Sequence, residues 1–304
     1  NMSIVSVVLF LSTAVALLFG VHYFVYMSLV HFFTITSSTH KYWLIVGLGF
    51  LSVSFILSST LAHFVENGVA RMAYFASGFW LGLLVNLLVA FSVAWLFAWG
   101  VSSIHLEPNR LLIGVLCTSL AGIAAVYGVW QALHPVVKHV TVQIPDLPEA
   151  WQGKTLVQLS DIHLGHVYQS AFLTKVVAQV NALQPKAVVI TGDLFDGMDG
   201  HLDSLVQPFN TLVSENGTFF ITGNHETYLG VETALLALKG TSVTILKDEV
   251  RDVDGLRLIG VNYPVRGADK TLLPTVGRLR DQFVSRPNVL LYHAPESIAQ
   301  VAES

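Results

Sequence analysis

Charge is scarce in this chain, and the shortage is uneven. Charged residues make up 12% of its 304 positions, against the roughly 25% usual for soluble domains. Of 16 basic and 20 acidic residues, only Lys41, Glu66, Arg71, Glu107 and Arg110 lie before residue 135. With 53% hydrophobic residues, the composition excludes a disordered protein and an enzyme that is water-soluble throughout. Cysteine is nearly absent. Cys117 stands alone in an apolar run, which excludes an internal disulfide and a thiolate-built metal site. A basic stripe is absent too, and the net charge is -4, so nucleic acid is not an expected partner.

Long apolar runs, by contrast, fill the first half. Uncharged stretches within Asn1–His40, Tyr42–Val65, Met72–Leu106 and Leu111–Val137 each hold the roughly 20 residues a membrane span needs. The first has no basic n-region and stays apolar to Phe33, so it reads as a retained helix, not as a signal peptide. Residues 1–134 are therefore expected to form an all-α transmembrane bundle of about four helices, with membrane lipids as partners. Trp80, Trp95, Trp99 and Trp130 suit either interfacial anchoring or packing between helices. His22, His63, His105 and His134 fall near expected span ends, and Asn86, Ser52, Ser54, Ser58 and Gly82 read as helix-packing residues. Under the positive-inside rule, Arg71, Lys138 and Lys154 outvote Lys41 and Arg110 and favour a cytoplasmic C-terminal half, in an inner membrane if the source is bacterial.

The texture changes after Leu133. Pro135 ends the last span, Val136–Ile144 alternates like a strand, and a turn-rich Pro145–Pro148 follows, so residues 135–150 read as a linker. From residue 151 onward, short apolar runs alternate with helical patterns. Thr155–Leu159, Ala187–Thr191, Thr218–Thr222, Val243–Leu246, Leu256–Val261 and Val289–Tyr292 read as strands, and Ser170–Leu183, Leu202–Val213 and Thr233–Lys239 as helices. This alternation predicts an α/β domain over 151–304 with a largely buried sheet.

Polar residues gather where those strands end. The first strand runs into Ser-Asp161-Ile-His163-Leu-Gly165, the second into Gly192-Asp193-Leu-Phe-Asp196, the third into Gly223-Asn224-His225-Glu226, and the last into His293. The first three anchors lie about thirty residues apart, one strand–helix–strand unit each, so all should reach the same sheet edge, where open α/β sheets bind ligands. Asp161, His163, Asp193, Asn224 and His293 offer carboxylate, imidazole and amide oxygen, a donor set suited to Mn, Fe, Zn or Mg. A central Asp193, with two oxygens, can bridge two ions that clamp both oxygens of an in-line displacement. His166, Asp199, His201 and Asp203 read as loop and helix-start residues, and Arg266 as a weaker candidate for a phosphate contact.

These motifs resemble those of the calcineurin-like metallophosphoesterases: Asp-x-His, Gly-Asp-x-x-Asp, Gly-Asn-His-Asp/Glu and a later His. The resemblance covers the chain from about Thr155 onward and none of the helical half. It implies a sheet sandwich flanked by helices and two divalent metal ions. Asp161 and His163 would hold the first ion, Asn224 and His293 the second, with Asp193 bridging. His225 would give a proton or hydrogen bond to the phosphoester, with Asp196 behind it. The implied reaction is hydrolysis of a phosphoester or pyrophosphate by a hydroxide on the ion pair. The family's closing Gly-His-x-His does not occur up to Ser304, so those two imidazoles are expected further downstream and the domain is expected to be incomplete at its C-terminal side. Gly197 stands where the protein phosphatases of the family carry Arg, which disfavours a phosphoprotein substrate. The combination with apolar helices is similar to the membrane-associated bacterial branch that includes pyrophosphatases of lipid A precursors, and it points to a lipid-linked substrate. Two rival expectations stand beside it: a phosphodiesterase of soluble substrates merely tethered to the membrane, and a non-catalytic, ligand-sensing domain.

Overall fold

Helix boundaries in the first half are set by side chains that take up orphan backbone N–H groups. In a computed structural model describing residues 4–65, 67–197, 202–264, 272–296 and 298–302, α1 spans Ile4–Phe32, α2 Ser38–Phe64, α3 Gly68–Ser103 and α4 Arg110–Ala132. Asn67 Oδ1 accepts from the Ala70 N–H at 2.8 Å, and Asn109 Oδ1 accepts from Leu112 at 3.0 Å. These are N-caps of the kind short polar residues supply. All four helices are long and apolar enough to cross a membrane.

Polar side chains join these helices from within. The Trp80 indole donates to His22 Nε2 at 3.0 Å, Trp95 donates to Ser28 Oγ at 3.0 Å, and Ser58 and Ser77 share a hydrogen bond of 2.6 Å. Trp80 and Trp95 thus pack between helices, whereas Trp99 and Trp130 remain exposed. His22, expected near a span end, is instead 3% exposed inside the bundle; its Nδ1–H donates to the Leu18 carbonyl, which frees Nε2 to accept. Phe32 and Phe91 stack with centroids 5.8 Å apart, and a Cβ on Gly114 would meet Phe32 and Phe33 at 3.0 Å. Close approach there needs glycine. Of the expected packing residues, Ser58 bonds across helices, whereas Asn86 donates to Gly82 O of its own helix and a Cβ on Gly82 would meet nothing.

Residues 137 onward form a separate unit. Its first sheet is parallel, in the order β1 (Leu156–Leu159), β2 (Ala187–Thr191), β3 (Thr218–Ile221), β4 (Val243–Ile245). Its second joins β5 (Glu249–Val253) antiparallel to β6 (Leu256–Gly260), and β6 parallel to β7 (Asn288–Leu291). Strand periodicity divides the burial. Val188, Ile190 and Phe220 face a helical layer that includes α5 (Ser170–Ala182), through Leu173, Val177 and Val180. Val189, Phe219 and Ile221 point the other way, against Leu256, Leu258 and Leu291 of the second sheet. Both faces of β2 and β3 are covered, which is why these strands read as unbroken apolar runs. Beyond the second sheet, Val276 and Leu279 of a short helix, Leu273–Leu279, pack on Ile259 and Val261.

Three expectations are corrected. Val136–Ile144 pairs with no strand among the described residues, and Val140 and Val142 are 81% and 68% exposed; alternation without a partner ladder does not make a strand. The expected helix over Leu202–Val213 divides into α6 (Leu202–Val206) and a 3₁₀ turn, Gln207–Thr211, because Pro208 has no N–H to continue the α-helix. The sequence reading also omitted β5, whose mixed charge hides its period. The signal it left was Asp254-Gly255, both at positive φ (+50° and +83°), the pair that two-residue hairpins favour.

At the edge where β2 begins, Lys186 is 2% exposed and pairs with Glu215 at 2.8 Å and Asp254 at 2.7 Å, its ammonium 5.6 Å from the centre of the Trp151 ring. Hydrogen bonds to Asp254 and then Glu215 hold the ammonium above its usual range, and Lys186 holds both carboxyls below theirs. The carboxylate contribution to stability is therefore present above the unfolded values near about pH 4 and lost as pH falls through the lower folded ones. The lysine contribution is complete below its unfolded value and lost as pH rises through the higher folded one. Lys186→Met should lower the melting temperature at pH 7 and flatten the fall of stability below about pH 4. An acid limb identical to that of the unsubstituted protein would show that these pairs contribute nothing.

Candidate metal centre

The opposite edge, where β1, β2 and β3 end, is built from backbone in an unusual conformation. Asp161, His163 and Asp193 all have positive φ, at +55°, +52° and +51°. Left-handed backbone costs a residue with a side chain roughly 1–2 kcal/mol, and such strain concentrates at functional sites. The ladder continues through it: Asp161, His163 and Leu164 donate to the carbonyls of Gly192, Asp193 and Leu194 at 3.2, 3.0 and 2.7 Å. Two glycines let β2 and β3 close on one another. A Cβ on Gly192 (φ +90°) would lie 2.6 Å from the Gly223 nitrogen, and one on Gly223 would collide with the Asp193 carboxylate.

One buried carboxylate holds this edge together. Glu226 is 0% exposed and accepts three backbone hydrogen bonds: from Gly223 at 2.7 Å, Asp193 at 2.9 Å and Phe195 at 3.1 Å. It stands in the first turn of α7 (Asn224–Leu229) and reaches back to that helix's own N-cap, Gly223. In the sequence Glu226 is visible only as the last residue of the Gly-Asn-His-Glu motif, with no role attached. Asn262 was missed outright. Its Oδ1 accepts from Thr222 N–H and Oγ at 2.9 and 3.1 Å, its Nδ2 donates to Leu246 O at 2.9 Å, and its own N–H donates to Asp248 at 2.8 Å. It stitches the residue before Gly223-Asn224 to the second sheet. A lone Asn after a strand carries no motif that would have exposed it.

Asp193 is the centre of the cluster and 4% exposed. Oδ1 accepts the His225 backbone N–H at 2.9 Å. Oδ2 faces three imidazoles, with His293 Nε2 at 3.3 Å and His163 and His225 Nε2 each at 3.9 Å. The atom that all three imidazoles face is Oδ2. Asp161 Oδ1 lies 3.9 Å from His163 Nε2, while its Oδ2 accepts from Ser160 at 2.5 Å. His293 Nδ1 lies 2.9 Å from the Thr191 carbonyl, which can only accept, so the proton is on Nδ1. Its Nε2 then turns a lone pair toward Asn224 Oδ1 at 3.0 Å and Asp193 Oδ2. With the ring neutral, three electron-pair donors converge there, a set that a cation can satisfy together. This donor set fits a divalent ion.

Two groups of ligand atoms, each within 4.8 Å, share Asp193: one adds His163 and His225, the other Asp161 and His293. The structure thus brings together Asp161, His163, Asp193, Asn224, His225 and His293. Within the same cluster Asp161 Oδ1 and His163 Nε2 approach to 3.9 Å. Asp196 approaches His225 through its main-chain carbonyl, which accepts from Nδ1 at 2.8 Å, while its carboxylate accepts the His166 N–H at 3.3 Å. A Cβ on Gly165 would fall on that carboxylate, so the glycine closes the turn. Asp199, His201 and Arg266 lie outside the described residues.

Stacked sheets that deliver three imidazoles and two aspartates to one strand-end edge define a candidate metal-binding α/β domain. Residues 154–298 match the family model of the calcineurin-like phosphoesterases. The chain carries a calcineurin-like metallophosphoesterase domain. An uncharacterized metallophosphoesterase of Helicobacter pylori is 31% identical over 179 residues, covering 58% of this chain and 48% of that protein. A transmembrane protein with metallophosphoesterase domain from Danio rerio is 32% identical over 212 residues, covering 62% and 46%. An uncharacterized metallophosphoesterase of Bacillus subtilis is 25% identical over 212 residues, covering 63% and 70%. The chain spans about half the length of the first two.

Glu226→Gln tests the joint beneath the site. An amide puts an N–H against at least one of three backbone N–H donors, at about 1–3 kcal/mol or more because a charged acceptor is lost. Thermal stability should fall and divalent-metal affinity should fall with it. Wild-type metal binding in this variant would show that the three hydrogen bonds do not position Asp193.

Proposed function

We propose that the C-terminal unit hydrolyses a phosphoester, with two divalent ions (Mn, Fe, Zn or Mg) held by Asp161, His163, Asp193, Asn224 and His293. The observation that carries this reading is that Asp161, His163, Asn224 and His293 converge around one buried carboxylate, Asp193. When bound, such ions supply Lewis-acid charge and a deprotonated water at neutral pH. The chain's residues orient and protonate. Ser160 holds one oxygen of Asp161 and leaves the other toward His163. The main chain of His225 holds Asp193 Oδ1, which commits Oδ2 to the imidazoles. His225 itself is anchored by Nδ1–H on the Asp196 carbonyl, leaving Nε2 to carry a proton toward the ester. Donated to the departing oxygen, that proton spares the reaction an alkoxide leaving group.

The finer assignments belong to the same proposal. Residues 1–134 form the transmembrane domain, 135–150 a linker and 151 onward the catalytic domain, on the cytoplasmic side by the balance of Arg71, Lys138 and Lys154 against Lys41 and Arg110. The four apolar helices support a lipid-linked phosphoester or pyrophosphate as substrate, held at the bilayer where tethering raises its effective concentration.

Asp193→Ala should abolish hydrolysis and lower bound metal, measured by elemental analysis after dialysis. His225→Ala should keep its metal and lose activity by roughly 10²–10⁴-fold. Normal metal content in the first variant would overturn the bridging role, and metal loss in the second would make His225 a ligand. The lipid reading is checked separately: the full-length protein in vesicles should hydrolyse a lipid phosphoester faster than the same headgroup free in solution. Equal rates would reduce the helices to an anchor.

A further inference from the structure

His225 is bounded on several sides by the protein. Asp196 O fixes its Nδ1, His163 meets it edge-on with centroids 4.6 Å apart, and a Cβ on Gly197 would lie 3.3 Å from Nδ1. Against it also stands Tyr228, three residues further along α7 and so on the same face of that helix, with ring centroids 5.4 Å apart and planes inclined by 58°. Tyr228 is 65% exposed and belongs to none of the apolar clusters, whereas its neighbour Leu229 packs into the core. A second exposed apolar residue reaches the same end of the site through Asp196. The turn closed by Gly165 N–H on Tyr168 O at 2.9 Å is fastened to the Asp196 carboxylate by His166 and carries Val167, 40% exposed, at its tip. The residue proposed to protonate the leaving oxygen is therefore flanked by an aromatic platform.

We infer that Tyr228 selects the leaving group, stacking a flat, ring-bearing organic group of the ester beside His225. This deepens the hydrolase reading and rests on it. Tyr228 is the exposed aromatic side chain in contact with the His225 ring, and so is available to the substituent of an oxygen that His225 protonates. Offset or edge-to-face stacking contributes beyond area burial, so losing the ring should cost aryl esters about three- to ten-fold. An alkyl leaving group gains no such contact.

The test compares the full chain with Tyr228→Ala and Tyr228→Phe, loaded with Mn²⁺, on bis(p-nitrophenyl) phosphate and on a glycerophosphodiester. The ratio of aryl to alkyl kcat/KM should fall about three- to ten-fold in Tyr228→Ala, mainly through KM, and return in Tyr228→Phe. A binding arm uses phenylphosphonate and methylphosphonate. The unsubstituted protein should prefer the phenyl compound and Tyr228→Ala should lose that preference. An unchanged ratio, or a Tyr228→Phe that behaves like Tyr228→Ala, overturns the stacking role while leaving the hydrolase reading intact. A metal-loaded wild type that hydrolyses neither ester overturns both.

Discussion

The site depends on a single carboxylate with no exposed surface. Glu226 gathers the N–H groups of Gly223, Asp193 and Phe195, and those donors come from two different strand ends. Without an acceptor between them, the ends of β2 and β3 would present unsatisfied buried amides to one another, at a cost of about 1–3 kcal/mol each. With it, they close until glycine alone fits at positions 192 and 223. Close approach is what brings Asp193 under three imidazoles. The carboxylate, the two glycines and the geometry of the Asp–His cluster are one constraint seen from three places.

That arrangement carries strain as well as order. Three residues of the cluster have left-handed backbone, and two imidazoles have their Nδ1 protons committed to main-chain carbonyls. The left-handed backbone is a cost the surrounding structure must hold, and the Nδ1 hydrogen bonds fix the orientation of the two rings. The second sheet shares the load. Asn262 joins Thr222 to Leu246 and Asp248, so the loop bearing Asn224 and His225 is fixed from behind by a residue of another layer. At the far edge of the parallel sheet, Lys186 between Glu215 and Asp254 supplies the matching closure.

The helical unit follows different physics. With little hydrophobic gain from bringing apolar helices together in lipid, association rests on packing and on hydrogen bonds between helices. Trp80 with His22, Trp95 with Ser28 and Ser58 with Ser77 provide those bonds. Each pairs a donor with an acceptor that would otherwise be stranded in an apolar interior.

Much of this was readable from the chain itself. Apolar length alone decides that four helices can span a bilayer, and the strand-end motifs name Asp161, His163, Asp193, Asn224, His225 and His293, because chemistry restricts which side chains can serve and alternation restricts where they emerge. What the sequence could not supply are relations between segments. Val136–Ile144 alternates as a strand does and finds no partner, since a ladder is a property of two strands. Trp80 and Trp95 read equally as anchors or packing residues until the facing helix supplies His22 and Ser28. Glu226 and Asn262 look like any buried polar residues in a list. Their roles exist only because folding brings β2, β3 and the second sheet within hydrogen-bond range, and hydrogen bonds are decided at about 3 Å, a scale on which sequence separation carries no information.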